Sequence, residues 1–115
     1  MWIMLNDAFF SIVHKDCAED ELLVRARRKG DIERVFPEAK VNETIRNDYR
    51  FRAVLKRERV IEAIGNELRS IHYGNFKDSV KDNTLHNAYM SVWSDMERIQ
   101  QGGAYGRYIR GRFIS

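Results

Sequence analysis

Four arginines in two short segments carry the most chemical potential in the chain. Arg25 and Arg27 lie in Leu-Leu-Val-Arg-Ala-Arg (22–27), and Arg50 and Arg52 lie in Tyr-Arg-Phe-Arg-Ala-Val-Leu-Lys (49–56). Side chains alternate along a strand, so two arginines spaced by two residues leave by the same face. If Val24 and Ala26, and Phe51 and Ala53, face a core, all four guanidinium groups project from the opposite face of one sheet. A guanidinium is planar, permanently charged and shaped to fork onto phosphate or carboxylate oxygens. Like charges on neighbouring strands repel, so such a face calls for something acidic. The expected partner is a nucleic acid or an acidic protein. The plain alternative is neutralisation by the chain's own acids, with Glu43, Asp48 and the loop Asp16 to Glu21 nearest in sequence. Sheets that bind single-stranded RNA add exposed aromatic rings for base stacking. Alternation puts Tyr49 and Phe51 on the core face, which leaves Phe9 to join the arginines.

A second basic group closes the chain. The segment Gly102 to Ser115 mixes glycine, arginine and aromatic residues, as RNA-binding segments do. Arg107, Tyr108, Arg110 and Arg112 are its candidate contacts, although three arginines neutralise few phosphates. Alternatively Tyr108, Ile109 and Phe113 dock on a neighbouring subunit, as an exchanged arm in a homodimer would.

Catalytic chemistry has weaker support. His72, Tyr73, Lys77 and His86 have the side chains of a general acid–base pocket, but nothing in their spacing brings them together. The plainer reading is that Tyr73 and Phe76 pin a loop between two helices. His14, His72 and His86 show no metal-ligand spacing, so no metal site is expected. Cys17 sits among Asp16, Glu19 and Asp20, a poor setting for a nucleophile, and a lone cysteine makes no internal disulfide. No phosphate-binding loop, dinucleotide fingerprint or hydrolase motif occurs, and no cofactor is expected.

These residues must be positioned by a small set of elements. Ala8 to His14 reads as a strand with Phe10 and Ile12 on one face, and Trp2 to Leu5 either pairs with it or leads into it. Leu22 to Arg27 forms a hairpin with it. Asp31 is placed to cap a short helix in which Ile32, Val35 and Phe36 face inward before Pro37 ends it. Residues 39–56 read as a second hairpin whose clear strand is 49–56. Val60, Ile61, Ile64, Leu68 and Ile71 make one apolar stripe over a helix spanning 57–71, which Gly65 weakens by roughly 1 kcal/mol. A final helix runs from Asp82 or Asn83 to about Gln101, with Leu85, Ala88, Tyr89, Val92, Trp93, Met96 and Ile99 on its buried side and Gly102-Gly103 as its stop. The order is ββαββαα: an α+β fold with a small antiparallel sheet of about four strands and helices on one face.

Length and charge set the frame. At 115 residues there is room for one α+β domain over 1–101, followed by the basic tail 102–115. The balance of 43% hydrophobic and 32% charged residues is that of a globular protein. The longest apolar run near the start, Ala8 to Val13, falls far short of the roughly 20 residues of a membrane helix. With no signal-like start, the expected location is the cytoplasm. The formal net charge of +3 is modest, but it is uneven: residues 1–20 are acidic, and the basic surplus lies in 21–60 and at the C-terminus.

The opening Met1-Trp2-Ile3-Met4-Leu5-Asn6-Asp7-Ala8-Phe9, the run 22–41, Asp48 to Leu55, and the segments Asn75 to Val80 and His86 to Trp93 resemble a family of small uncharacterised bacterial proteins. The resemblance covers about residues 1–100 and stops before the tail. It implies a bacterial, phage or mobile-element origin and no particular activity. The expectation is a non-enzymatic binding module, with a role such as inhibitor or regulator of a nuclease system. The alternative is a small enzyme acting on a nucleotide or phosphorylated substrate.

Overall fold

Apolar residues at every second position of three segments, Phe10 and Ile12, Val24 and Ala26, and Phe51 and Ala53, are all buried on one side of a sheet in the computed structural model. The structure describes residues 1–100. These fall into two compact units, residues 1–74 and the residues from Asn75 onward.

The first unit holds five antiparallel strands: β1 (Trp2–Met4), β2 (Phe9–Val13), β3 (Glu21–Ala26), β4 (Asn42–Glu43) and β5 (Phe51–Lys56). They lie in the order β1-β2-β3-β5-β4, so β3 and β5 pair at the centre and the second hairpin adds β4 at the edge. Five strands form where about four were expected. The extra one is β1, which pairs Trp2 with Ser11 and Met4 with Phe9. Three residues are too few to show alternation in a sequence.

Helices α1 (Asp31–Val35) and α2 (Arg57–Arg69) contribute Ile32, Val60 and Ala63 to the core on this face, and Phe36 follows α1 into it. Phe36 packs against Phe10 with ring centroids 6.0 Å apart. Asp31 was expected to cap α1, but the cap is Gly30, whose φ of 92° lies in the left-handed region that favours glycine. Asp31 is instead the first helical residue and is only 2% exposed. Its carboxylate pairs with Arg28 at 3.0 Å and accepts the Phe9 N–H at 3.2 Å, tying the helix to β2.

The stripe expected to bury α2 divides in two. Val60 and Ala63 go into the core and Ile64 packs at its margin, while Ile61, Leu68 and Ile71 are exposed. The helix axis is therefore rotated toward Val60 and Ala63, away from the centre of the apolar stripe.

In the second unit, α3 (Phe76–Ser79) forms inside what the sequence presents as a loop. Asn75 caps it by accepting the Asp78 N–H, and Asp82 caps α4 (Asn83–Glu97) by accepting the Leu85 N–H at 3.0 Å. The Phe76 ring stacks on Tyr89 at 5.6 Å. Leu85 and Tyr89 are buried, whereas Ala88, Trp93, Met96 and Ile99 are exposed, so only the first half of the predicted α4 face is covered. The expected stop at Gly102-Gly103 lies outside the described residues.

Candidate functional site

The period-two argument places Arg25 and Arg52 on the face opposite α1 and α2, and the strand register puts them directly across from each other. The same row continues through Ser11 on β2 to Trp2 on β1. Two guanidinium groups facing each other on adjacent strands repel, so the local structure must meet that cost.

It does so with Tyr49. This residue precedes β5 in a bend, and its ring lies under two cations: Arg25 at 4.5 Å and Arg27 at 4.2 Å from the centroid. The negative face of the ring attracts both guanidinium planes. Strand alternation places Tyr49 on the core face with Phe51. Phe51 is there, but Tyr49 is not part of that core, because the alternation of β5 begins only at Phe51. Tyr49 is nonetheless 4% exposed, packed among the groups of the arginine face.

Hydrogen bonds fix the cluster further. Arg25 Nη2 donates to Ser11 Oγ at 2.6 Å, and Arg52 Nε donates to the Tyr49 carbonyl at 3.1 Å. Arg27 Nη1 donates to the Asp48 carbonyl at 2.9 Å, while an Asp48 carboxylate oxygen accepts the Tyr49 N–H. Arg25 and Arg27 are thus brought together on the Tyr49 ring, and Arg52 is tied to the same residue's carbonyl. Arg50 is held apart by an ion pair with Glu43 of β4 at 2.9 Å.

Among the described residues internal neutralisation therefore reaches two of the four. Glu43 takes Arg50, and Asp48 lies 3.5 Å from Arg52. The acidic loop does not serve the arginines: Asp20 pairs with Lys56 at 2.9 Å, and that hydrogen bond holds the Asp20 carboxyl below its ordinary range and raises the Lys56 ammonium. Among the described residues no carboxylate pairs with Arg25 or Arg27. Arg25 Nε is buried and has no hydrogen-bond partner there. Arg27 is exposed and Arg25 half-buried. Ser11 and Leu23 are also buried on this face, so it is not the fully open charged plane that alternation alone suggests.

Aromatic character is greater than the sequence reading allowed. Phe9 does join the arginine face, and Trp2 joins it too, in an edge-on contact with Phe9 at 6.0 Å while staying 66% exposed. Period two within residues 2–4 is the only signal that could have found Trp2, and it is faint. Tyr49 had no such signal, since its orientation is set by the bend before β5.

The acid–base candidates divide between the two units. His72 and Tyr73 line a groove of the first unit with Ile3, Ile64, Leu68 and Ile71. Lys77 and His86 share a shallow cleft of the second unit with Asp78 and Lys81, and Lys77 Nζ lies 4.4 Å over the Trp93 ring. Among the described residues no cluster of histidine, cysteine or carboxylate side chains is arranged to hold a metal ion, and no helix is long and apolar enough to cross a membrane. Cys17 Sγ donates to the Glu21 carbonyl at 3.4 Å within the acidic turn. The tail candidates Arg107, Tyr108, Arg110 and Arg112 lie outside the described residues. No family model, curated protein or solved structure matches the chain.

Proposed function

We propose that the chain is a non-enzymatic binding module that recognises an anionic group of a partner through Arg25 and Arg27. The observation that carries this reading is the pair of guanidinium groups fixed on the Tyr49 ring, with which no carboxylate pairs among the described residues. Pre-organised cations lose little conformational freedom when an anion arrives, and a guanidinium offers a forked set of donors to phosphate or carboxylate. Because Glu43 and Asp48 already answer Arg50 and Arg52, the surface suits one compact anionic feature better than a long phosphate track. An acidic segment of a protein partner fits that description.

A polyanion is the second reading, and Trp2 supports it. Its exposed ring stands in the same cross-strand row as Arg25, the combination of stacking surface and cation that single-stranded nucleic acid uses.

The test is capture from native lysate, with and without nuclease, by the intact chain and by an Arg25→Glu, Arg27→Glu variant. Capture should be lost in the variant while its circular dichroism is unchanged, and Arg50→Glu should retain it. Undiminished capture by the double variant would sink the proposal. Loss of the captured material on nuclease treatment selects the polyanion form.

A further inference from the structure

Away from the arginine cluster, α2 exposes an apolar ridge beside an apolar groove. Ile61 and Leu68, seven residues apart on one side of the helix, are 55% and 64% exposed. Between the helix and the first strands runs a groove of about 520 Å³ lined by Met1, Ile3, Leu22, Ile61, Ile64 and Leu68. It meets the groove that ends at Ile71, His72 and Tyr73, with Ile3, Ile64 and Leu68 common to both. Ile61 and Leu68 make a self-complementary apolar strip, which a two-fold axis can set against its own copy with Ile61 over Leu68. We infer that α2 is a homodimer surface, on which the α2 helices of two copies pair antiparallel through Ile61, Ile64 and Leu68.

The occupant is identified by charge as well as shape. With 3.6 residues per turn, Glu58, Glu62 and Arg69 fall on one flank of the Ile61–Leu68 line, the acids in the first half of the helix and the base in the second. In an antiparallel pair each flank faces its own copy. Setting Ile61 against Leu68 brings Arg69 opposite position 60 of the second copy, between that copy's Glu58 and Glu62. Glu62 meets Arg59 of its own helix at 3.0 Å and keeps its other oxygen. Among the described residues Glu58 has no ion pair, and Arg69 donates only to Asn66. Gly65 lies midway along the ridge, and among the described residues the nearest side-chain atom to a Cβ built there is Arg69 Nη1 at 3.9 Å, so the position leaves room for a second helix.

The intact chain should run as a dimer in size-exclusion chromatography with light scattering. Ile61→Asp and Leu68→Asp, both at exposed positions, should return it to a monomer with unchanged circular dichroism. Arg69→Glu should also dissociate it, and adding Glu58→Arg with Glu62→Arg should restore the dimer. In a Cys17→Ser background, Gly65→Cys should cross-link two copies under mild oxidation, while Asn66→Cys should not. A monomeric intact chain overturns the inference. So does a dimer that survives Ile61→Asp or Arg69→Glu, since it would rest on another surface.

Discussion

The two faces of the sheet share strands β2, β3 and β5 and are held by different physics. On one, Phe10, Ile12, Val24, Ala26, Phe51 and Ala53 meet α1 and α2 through apolar, non-directional contacts, to which the buried Asp31 adds its bonds to Arg28 and the Phe9 N–H. On the other, a row of Trp2, Ser11, Arg25 and Arg52 is organised by one tyrosine ring and a handful of directed hydrogen bonds. The first face tolerates salt and is sensitive to volume. The second responds to charge and geometry. The comparison teaches that stability and recognition can be assigned to opposite sides of a single strand, alternating residue by residue.

Substitutions that separate the two faces test this. The largest effect is expected from Phe10→Ala, which opens a cavity in the core; unfolding free energy should fall by about 3–5 kcal/mol in a urea titration. Next is Asp31→Ala, which removes the buried carboxylate that Arg28 and the Phe9 N–H bond to and should cost about 2–3 kcal/mol in the same titration. If both prove mild, the apolar face is not the principal source of stability.

A smaller loss, about 1–2 kcal/mol, is expected from Tyr49→Leu, which keeps an apolar body and removes the ring beneath Arg25 and Arg27. That variant should lose partner capture while Phe10→Leu keeps it. The reverse pattern would remove the distinction between the faces. The smallest effect concerns pH and the exposed Lys56–Asp20 pair. The Asp20 carboxyl is held below its ordinary value, so the contribution is present above that value and fades as pH falls through the lower folded one. Asp20→Asn should flatten the acid limb of the melting-temperature profile slightly in low salt and leave it unchanged in high salt.

Much of the apolar face is legible in the sequence, because Phe10 and Ile12, Val24 and Ala26, and Phe51 and Ala53 repeat with the period of a pleat. The arginine face follows as its complement, and Arg25 and Arg52 stand where alternation puts them. What alternation cannot supply lies outside the strands. Tyr49 turns onto the arginine face because it precedes β5, and Arg50 leaves the cluster because β4 presents Glu43 beside it. Helical periodicity finds α2 and α4 but not how much of each stripe is covered. Gly30 displaces Asp31 as the cap through a backbone conformation that side-chain preferences do not reveal.

Lys56 ends β5 and Arg57 begins α2, with no connecting residue between them, and the Arg57 N–H is fastened to the Asp20 carbonyl at 2.8 Å. Strand and helix are thereby geared like two shafts on one key: the up–down phase of the pleat sets the azimuth of everything on α2. Inserting a single residue at this joint would turn the helix by about 100°. It would carry Val60 and Ala63 out of the core and swing Ile61 to a new bearing. The joint can accept new side chains, but its length is fixed, and every later change to the helix surface inherits its compass direction from the sheet.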